Sequence, residues 1–287
     1  MSSSPRSEDT LALALRACAV ASAREIDTQL ARAGRGHHTG VRRTRKALTR
    51  LRALLALLHA APVPPTLIER RARAIARSLS QLRDAQAAYN TARRLSRATG
   101  NLGERAAWHA ALGSIEEERD RLLDAALSAD VDFVARQRRF SALQTSLDAY
   151  DWSVVKRGCI EAAFARSLRR VRRARKQARE THAQTRRHRL RRRLRRLLLQ
   201  ADLLREIAAA TDTRAAKQAR KLTVGTPVQR QRCKRLVDAL GDERDLHLLR
   251  STLLRLPLAG QAGLDHALYL VDKRLPQAAS ACDKLIN

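Results

Sequence analysis

Aromatic residues, cysteines, glycines and prolines are all scarce in this chain of 287 residues. Phe, Trp and Tyr make up only 3% of it, which argues against the base-stacking platforms typical of single-stranded nucleic-acid binding. The four cysteines are far apart and form no C-x-x-C pair, so neither a disulfide framework nor a thiolate metal site is indicated. Because only 11 Gly and 7 Pro interrupt the chain, we expect long helices and an all-α fold.

Acidic residues are also scarce relative to basic ones. The chain has 58 Lys and Arg but only 28 Asp and Glu, which gives a formal net charge of +30. A strongly anionic partner is therefore expected. Only eight of the basic residues are lysines, and the planar guanidinium of arginine can contact two phosphate oxygens at once. The composition thus favours a phosphate-rich partner.

The sequence also lacks long apolar runs. No stretch approaches the roughly 18 apolar residues needed to cross a bilayer. The segment LALALRACAVASA near the N-terminus is interrupted by Arg16 and preceded by Glu8 and Asp9, where a secretory signal would carry positive charge. We therefore predict an amphipathic first helix and a soluble, cytoplasmic protein without a membrane partner.

Apolar residues at helical spacing divide the chain into helices separated by Gly and Pro clusters. The predicted helices cover residues 11–33, 41 to the prolines at 62–65, 66–98 with a possible bend, 104–127, 131–147, 154–179, 184–209 and 226–256, followed by two short helices that separate near Pro276. Short connections between long helices are typical of helical bundles.

An arginine-rich helix occurs twice, with an offset of 146 residues. The first copy, residues 42–52, reads RRTRKALTRLR, and the second, residues 188–198, reads HRLRRRLRRLL. A second duplicated pattern follows each copy, since LSQLRDA and LGDERDL share the dipeptide Arg-Asp with an offset of 161 residues. The duplications predict two homologous helical bundles, residues 1–149 and residues 150–287.

The basic helices separate apolar and cationic residues onto opposite faces. A solvated surface is one interpretation of the cationic face, since long basic side chains often cover apolar surface. However, residues 166–196 contain 16 Lys or Arg and a single acid, Glu180, and such like charges repel one another until a polyanion binds. The candidate polyanion-binding residues are Arg42, Arg45, Lys46, Arg50, Arg52, Arg166, Arg170, Arg173, His188, Arg191, Arg192, Arg195 and Arg196.

Two features of these patterns have more than one interpretation. His188 is either a hydrogen-bond donor that gains charge beside phosphate or a histidine at a helix start without a role. The repeated Arg-Asp pairs are interpreted as structural or as orienting partners of nearby arginines; they are Arg83, Asp84, Arg244 and Asp245. The remaining histidines show no metal-ligand spacing, so we expect no metal site and no cofactor.

These residues resemble the pattern of the CHAD domain, the conserved histidine α-helical domain, in which H-x-x-R-K-x-x-K-R-L-R is followed by L-G-x-x-R-D. The second half of the chain matches at His188, Arg191, Arg192, Arg195, Arg196, Leu197, Leu240, Gly241, Arg244 and Asp245. The first half matches at Arg45, Lys46, Arg50, Leu51, Arg52, Arg83 and Asp84. The chain departs from the pattern at Arg42 in place of the histidine, Thr49 in place of a base, Ser80 in place of the glycine, and Leu198 in place of the last arginine of the second half.

The resemblance implies two antiparallel helical bundles related by a pseudo-twofold axis, with the basic helices lining a central groove or pore. It also implies binding of inorganic polyphosphate, often at polyphosphate granules. Because Arg42 replaces the histidine of the first half, the resemblance implies phosphate binding by charge and no role that needs a titratable group in both halves.

Three other functions remain as alternatives. Nonspecific binding of RNA or DNA backbones is permitted by the charge, although no helix-turn-helix or zinc-finger pattern occurs. An enzyme acting on phosphoanhydrides generally needs carboxylates or a P-loop, but the two basic repeats contain no acid and no P-loop glycine pattern appears. A protein partner is the third alternative. We therefore expect a non-enzymatic polyphosphate-binding protein.

Overall fold

The computed structural model of the chain is all-α, as expected. It describes residues 9–181, 183–210, 216–217, 219–220, 227–256 and 262–287. Within these ranges there are ten α-helices and no strand; the helices are α1 (Asp9–Gly34), α2 (His38–Leu55), α3 (Thr66–Ser78), α4 (Ser80–Ala98), α5 (Leu102–Ala129), α6 (Val134–Asp148), α7 (Arg157–Thr181), α8 (Gln184–Ala210), α9 (Pro227–Leu253) and α10 (Ala262–Ile286). Short 3₁₀ turns precede α6 and α7. The predicted start of the helix 226–256 lies outside the described residues.

The first basic helix, α2, has the predicted apolar face but a different end. Val41, Leu48 and Leu51 are buried, as their spacing predicts. The helix stops at Leu55, well before the prolines, because the chain tightens there into turns in which Leu57 and Leu58 donate backbone hydrogen bonds three residues back. This turn places both leucines in the core, with none of their surface exposed.

The predicted helix over residues 66–98 is broken at Leu79 into α3 and α4. Leu79 has φ −103° and ψ 8°, and its side chain is fully buried. Serines flank the break, and the hydroxyls of Ser78 and Ser80 donate to the carbonyls of Ile75 and Arg77. Serine side chains compete in this way with helical backbone bonds. The break leaves carbonyl groups at the end of α3 free for other donors.

The predicted separation of two helices near Pro276 is wrong, because α10 continues through this residue. A proline removes one backbone donor and crowds the preceding turn. Packing holds the helix together on both sides of it: Leu270 and Val271 are buried before Pro276, and Cys282 and Ile286 are buried after it. Tertiary contacts therefore outweigh the local preference for a break.

The buried residues form three clusters, and two of these cross residue 150. One cluster joins α1, α2, α3 and α6 to parts of α7 and α8. The second joins α4 and α5 to α9 and α10. The third lies between α7, α8, α9 and α10. The division into units at residue 150 and the pseudo-twofold axis both stay predictions. Among the described helices, none has the length and apolarity to cross a membrane.

Replacing Gly40 with alanine is expected to destabilise the fold by about 2 kcal/mol through overpacking. A Cβ atom at this position would lie 2.5 Å from the backbone nitrogen of Ala33 and 2.8 Å from the carbonyl oxygen of Gln29, so α1 and α2 would have to separate. The urea midpoint of unfolding measures the change. Gly113→Ala is the matched control, because it has open space in α5 and should be stabilising by up to about 1 kcal/mol. Equal midpoints for the two variants would contradict the prediction.

Candidate functional site

A cavity of about 1390 Å³ lies where α2, α4, α7, α8 and α9 meet. Among the described residues, its lining contains fourteen Lys or Arg side chains and two carboxylates. The basic residues are Arg42, Arg45, Lys46, Arg52, Arg83, Arg94, Arg170, Arg189, Arg191, Arg192, Arg193, Arg195, Arg196 and Arg244, and the acidic ones are Asp242 and Asp245. A concave surface lined by charge of one sign concentrates the electric field. The cavity is therefore suited to an anion with many charges.

Helix α8 reaches the cavity because its other sides are fixed in two cores. Leu190 and Leu194 pack near its beginning with α9 and α10, whereas Leu204 packs near its end with α1 and α2. Gln200 donates to the backbone carbonyl of Ala53 at 3.2 Å, which ties α8 to α2. The two basic helices are thus held against each other, and both contribute to the lining.

A buried ion pair fixes the rotation of α8 at its first turn. Arg187 is 9% exposed, and its guanidinium lies 2.8 Å from Glu243 of α9 and 3.1 Å from Asp283 of α10. A cation held by two carboxylates on two other helices cannot turn without leaving buried charge unpaired. The neighbouring His188 and Arg191 are thereby directed into the cavity.

In the first half, Arg45 is anchored to the backbone. Its Nη1 donates to the carbonyl of Ala76, one of the groups that the break between α3 and α4 leaves free. Burial lowers the pKa of Arg45 to about 10, and the nearby Arg83 adds to the shift. Arg45 therefore remains charged at neutral pH while one of its donors is already used.

In the second half, the corresponding Arg191 lies against a glycine instead. A Cβ atom at Gly241 would be 3.0 Å from Nη2 and 3.4 Å from Nε of Arg191, so only glycine leaves the guanidinium full room. The Nε atom is buried and has no hydrogen-bond partner among the described residues. Burial lowers the pKa of Arg191 to about 10, and the charge of Asp245 opposes the shift. Arg191 thus keeps donors available for a ligand.

The two Arg-Asp pairs contact each other across the cavity wall. Asp84 pairs with Arg83, its neighbour in the chain, and accepts a hydrogen bond from Arg244 at 3.2 Å. Arg244 also lies 3.6 Å from Asp245. One carboxylate thus holds an arginine from each half, and it does so from a position outside the cavity lining. This placement agrees with an orienting role for Asp84.

His188 lines the cavity among cations. Its pKa is lowered to about 4, first by burial and then by the charges of Arg192, Arg244 and Arg191. The imidazole is therefore neutral at pH 7 and can both donate and accept a hydrogen bond. An anion in the cavity would offset the surrounding positive charge and raise this pKa.

Ten of the thirteen predicted polyanion-binding residues line the cavity, and Arg50, Arg166 and Arg173 do not. Arg50 forms a double contact with Glu206, one branch of which measures 2.9 Å. This contact raises the pKa of Arg50. Helical spacing identifies the face on which Arg50 lies but not a carboxylate 156 residues further along the chain. Arg166 and Arg173 are exposed on α7.

Several lining residues were not predicted from the sequence. Arg189 and Arg193 belong to the second basic repeat, and their spacing of four residues was a signal for a further cationic row. Arg94 had no such signal, because it lies outside both basic repeats, three turns after Arg83 on α4. It lines the cavity because α4 packs against α9. The uncharged polar residues that were missed are Gln86, Asn90, Thr91 and Ser167.

The fold and the site together define an all-α protein whose two basic helices line one cavity. The family model of the CHAD domain matches residues 15–254, which is most of the chain. The chain therefore belongs to the CHAD domain family.

A solved structure supports this assignment at the level of the fold. The crystal structure of the CHAD domain from the plant Ricinus communis superposes with a TM-score of 0.66 at 14% sequence identity, and the match covers 100% of this chain and 94% of the plant chain. No curated protein matches the sequence. The predicted family is thus confirmed.

Proposed function

We propose that this CHAD domain binds inorganic polyphosphate in the cavity and neither cleaves nor extends it. The observation that carries the proposal is the lining, with fourteen Lys or Arg against two Asp. Polyphosphate is a flexible chain of closely spaced charges. Arginine forks from two neighbouring helices can hold such a chain through charge-assisted, bidentate hydrogen bonds. The resemblance to polyphosphate-binding CHAD domains supports the same ligand.

The carboxylates of the lining favour binding over turnover. Asp242 pairs with Arg94 at 2.6 Å, and Asp245 lies beside Arg244. Phosphoanhydride chemistry commonly uses carboxylates to hold divalent cations. Because both carboxylates of the lining already neighbour arginines, they are poorly placed for that role.

The uncharged part of the lining favours polyphosphate over nucleic acid. Among the described residues that line the cavity, none is Phe, Trp or Tyr. Proteins that bind single strands gain about 1–3 kcal/mol for each base that stacks on an aromatic ring. Without such platforms, a nucleic acid could use only its phosphates, and its bases and sugars would dilute the charge. Nonspecific binding of RNA or DNA backbones is the alternative function.

Competition binding tests the proposal. Labelled long-chain polyphosphate is displaced by unlabelled polyphosphate, single-stranded DNA, double-stranded DNA or RNA at matched phosphate concentration and about 150 mM salt, because affinities for polyanions depend steeply on salt. We expect polyphosphate to compete far better per phosphate than any nucleic acid. Equal competition by nucleic acid would replace the proposal with the alternative function.

Association with polyphosphate granules in the cytoplasm is part of the same proposal. A fluorescent fusion of the chain should colocalise with granules, and it should disperse in cells that make no polyphosphate. A fusion that stays diffuse in cells rich in granules would refute this part of the proposal without affecting the binding measurements.

Polyphosphate binding is expected to tighten as the pH falls from 7 towards the pKa of His188 in the free protein, which is about 4. In the free protein the pKa of His188 is about 4, and bound phosphate raises it, so binding takes up a proton between the two values. The gain in affinity is complete below the pKa of His188 in the free protein and absent above its pKa in the complex. The unliganded fold responds in the opposite way, since it loses stability as the pH falls from about 6.5 towards 4.

The pH dependence is measured with long chains, in which few phosphates are terminal groups with a pKa near 6. The His188→Gln variant keeps a hydrogen-bonding side chain but cannot take up the proton. We expect it to bind with an affinity that changes little between pH 7 and pH 5. An unchanged pH dependence in His188→Gln would show that another group titrates.

A further inference from the structure

A row of arginines without partners follows α7 beyond the cavity. Arg166, Arg170 and Arg173 lie three or four residues apart, and so on one side of the helix, and all three are exposed. None has an ion-pair or hydrogen-bond partner within the described part of the chain. By contrast, the exposed Arg121 on α5 makes two hydrogen bonds to Glu118. The positive charge of this row is therefore not balanced by nearby carboxylates, as it is at Arg121.

The row is continuous with the cavity. Arg170 and Ser167 of α7 line it, as do Arg189 and Arg193 of the adjacent α8. Burial lowers the pKa of Arg193, and the charge of Arg170 lowers it further, which agrees with two guanidinium groups close enough to repel. We name Arg166, Arg170, Arg173, Arg189 and Arg193 the α7–α8 track.

The opposite flank of α7 uses its arginines to hold the fold. Arg175 and Arg179 donate to the backbone carbonyl of Ile286 at 2.8 and 3.0 Å. This carbonyl lies at the C-terminal end of α10, where the helix dipole attracts cations. The arginines on that flank therefore have structural partners, whereas those on the cavity side have none. A general preference of the chain for exposed arginine does not explain the difference.

We infer that the α7–α8 track extends the polyanion site and contacts the part of a long polyphosphate chain that leaves the cavity. The inference rests on the proposed function. A short chain that fits within the cavity gains nothing from Arg166 and Arg173, because neither lines it. A long chain gains both contacts. The track therefore makes the protein bind long polyphosphate chains more tightly than short ones.

The test compares an Arg166→Ala/Arg173→Ala variant with the wild type, using tripolyphosphate and long-chain polyphosphate as ligands. The matched control is Arg138→Ala/Arg139→Ala, which removes two exposed arginines from α6, a helix that contributes nothing to the cavity. For single-stranded nucleic acids, each phosphate contact contributes about 0.7 to the slope of log K against log salt. With the same contribution here, loss of two contacts should make the slope for long-chain polyphosphate shallower by about 1.4 and weaken its binding about tenfold at about 150 mM salt. Tripolyphosphate binding and the control should be unchanged.

The other outcomes each refute a different statement. If the track variant binds both ligands like the wild type, the track is not a binding surface, while the cavity still is. If its affinity for both ligands falls equally, Arg166 and Arg173 act only through the general field and chain-length selection is wrong. If the wild type binds neither ligand, the proposed function itself fails, and the inference fails with it.

Discussion

Alanine substitution of four arginines in α8 is expected to weaken polyphosphate binding severely while leaving the protein folded. The four are Arg191, Arg192, Arg195 and Arg196, and all line the cavity. Four lost phosphate contacts, at about 0.7 each in the salt slope, weaken binding roughly two-hundredfold at about 150 mM salt. Helix content should stay the same or rise, because alanine is the better helix former and mutual repulsion is removed. Competition binding and circular dichroism measure the two effects.

A control with the same loss of charge separates the site from the net charge. Four arginines that are exposed on α1 and α6 can be replaced together, and these are Arg16, Arg24, Arg138 and Arg139. Their loss lowers the net charge equally but leaves the cavity intact, so affinity should fall only slightly. Comparable losses in the two variants would mean that polyphosphate responds to total charge. Undiminished affinity in the folded α8 variant would overturn the assignment of the cavity.

The helix faces could be predicted from the sequence because they depend on local periodicity alone. Leu190, Leu194 and Leu204 repeat at helical spacing, and the structure buries all three. The cationic residues on the other side of α8 then had to face either solvent or a shared cavity. The sequence could not distinguish these outcomes, since the answer depends on which helices pack against α8. The duplication was the feature that favoured a shared site.

The differences between the expected and the observed placements come from contacts between residues distant in the chain. Arg50 has the same spacing as its neighbours in α2, but Glu206 removes it from the candidate site. The continuous α10 results from buried side chains on both sides of Pro276, and local propensity gives no sign of them. The break at Leu79 did have a local signal in its flanking serines. Its importance emerged only from the carbonyl that it offers to Arg45.

Two of the three departures of the first half from the CHAD pattern make its part of the lining differ from that of the second half. Arg42 replaces the histidine, so a permanent charge stands where the second half has a neutral imidazole with a pKa of about 4. Ser80 replaces the glycine, and at this point the chain breaks between α3 and α4 instead of continuing as α9 does beside Gly241. At neutral pH the second half therefore contributes a neutral imidazole, His188, to the lining, whereas the first half has an arginine at the corresponding position.

Gly241→Ala is expected to weaken polyphosphate binding about tenfold while leaving the free energy of unfolding unchanged or higher. In a helix interior, alanine is favoured over glycine by up to about 1 kcal/mol. The new Cβ atom, however, would lie 3.0 Å from Nη2 of Arg191, so this guanidinium must move. A tenfold loss corresponds to about 1.4 kcal/mol, which is about what one hydrogen bond to a charged group contributes. Binding isotherms and urea unfolding measure the two effects on one variant.

Ser80→Ala is the matched control, because it alters the corresponding position of the first half. Arg45 does not need space there, since it is held by the Ala76 carbonyl. Ser78 still bonds to the Ile75 carbonyl beside the break in this variant, so the anchor of Arg45 should remain and binding should be unchanged. A larger residue, Gly241→Leu, should weaken binding further than alanine does if displacement of Arg191 is the cause. Full affinity in Gly241→Ala would mean that Arg191 acts only as a distant charge. An equal loss in Ser80→Ala would mean that the two halves hold their arginines alike. The contrast between Arg45, which the Ala76 carbonyl anchors, and Arg191, whose Nε has no partner among the described residues, would then not matter for binding.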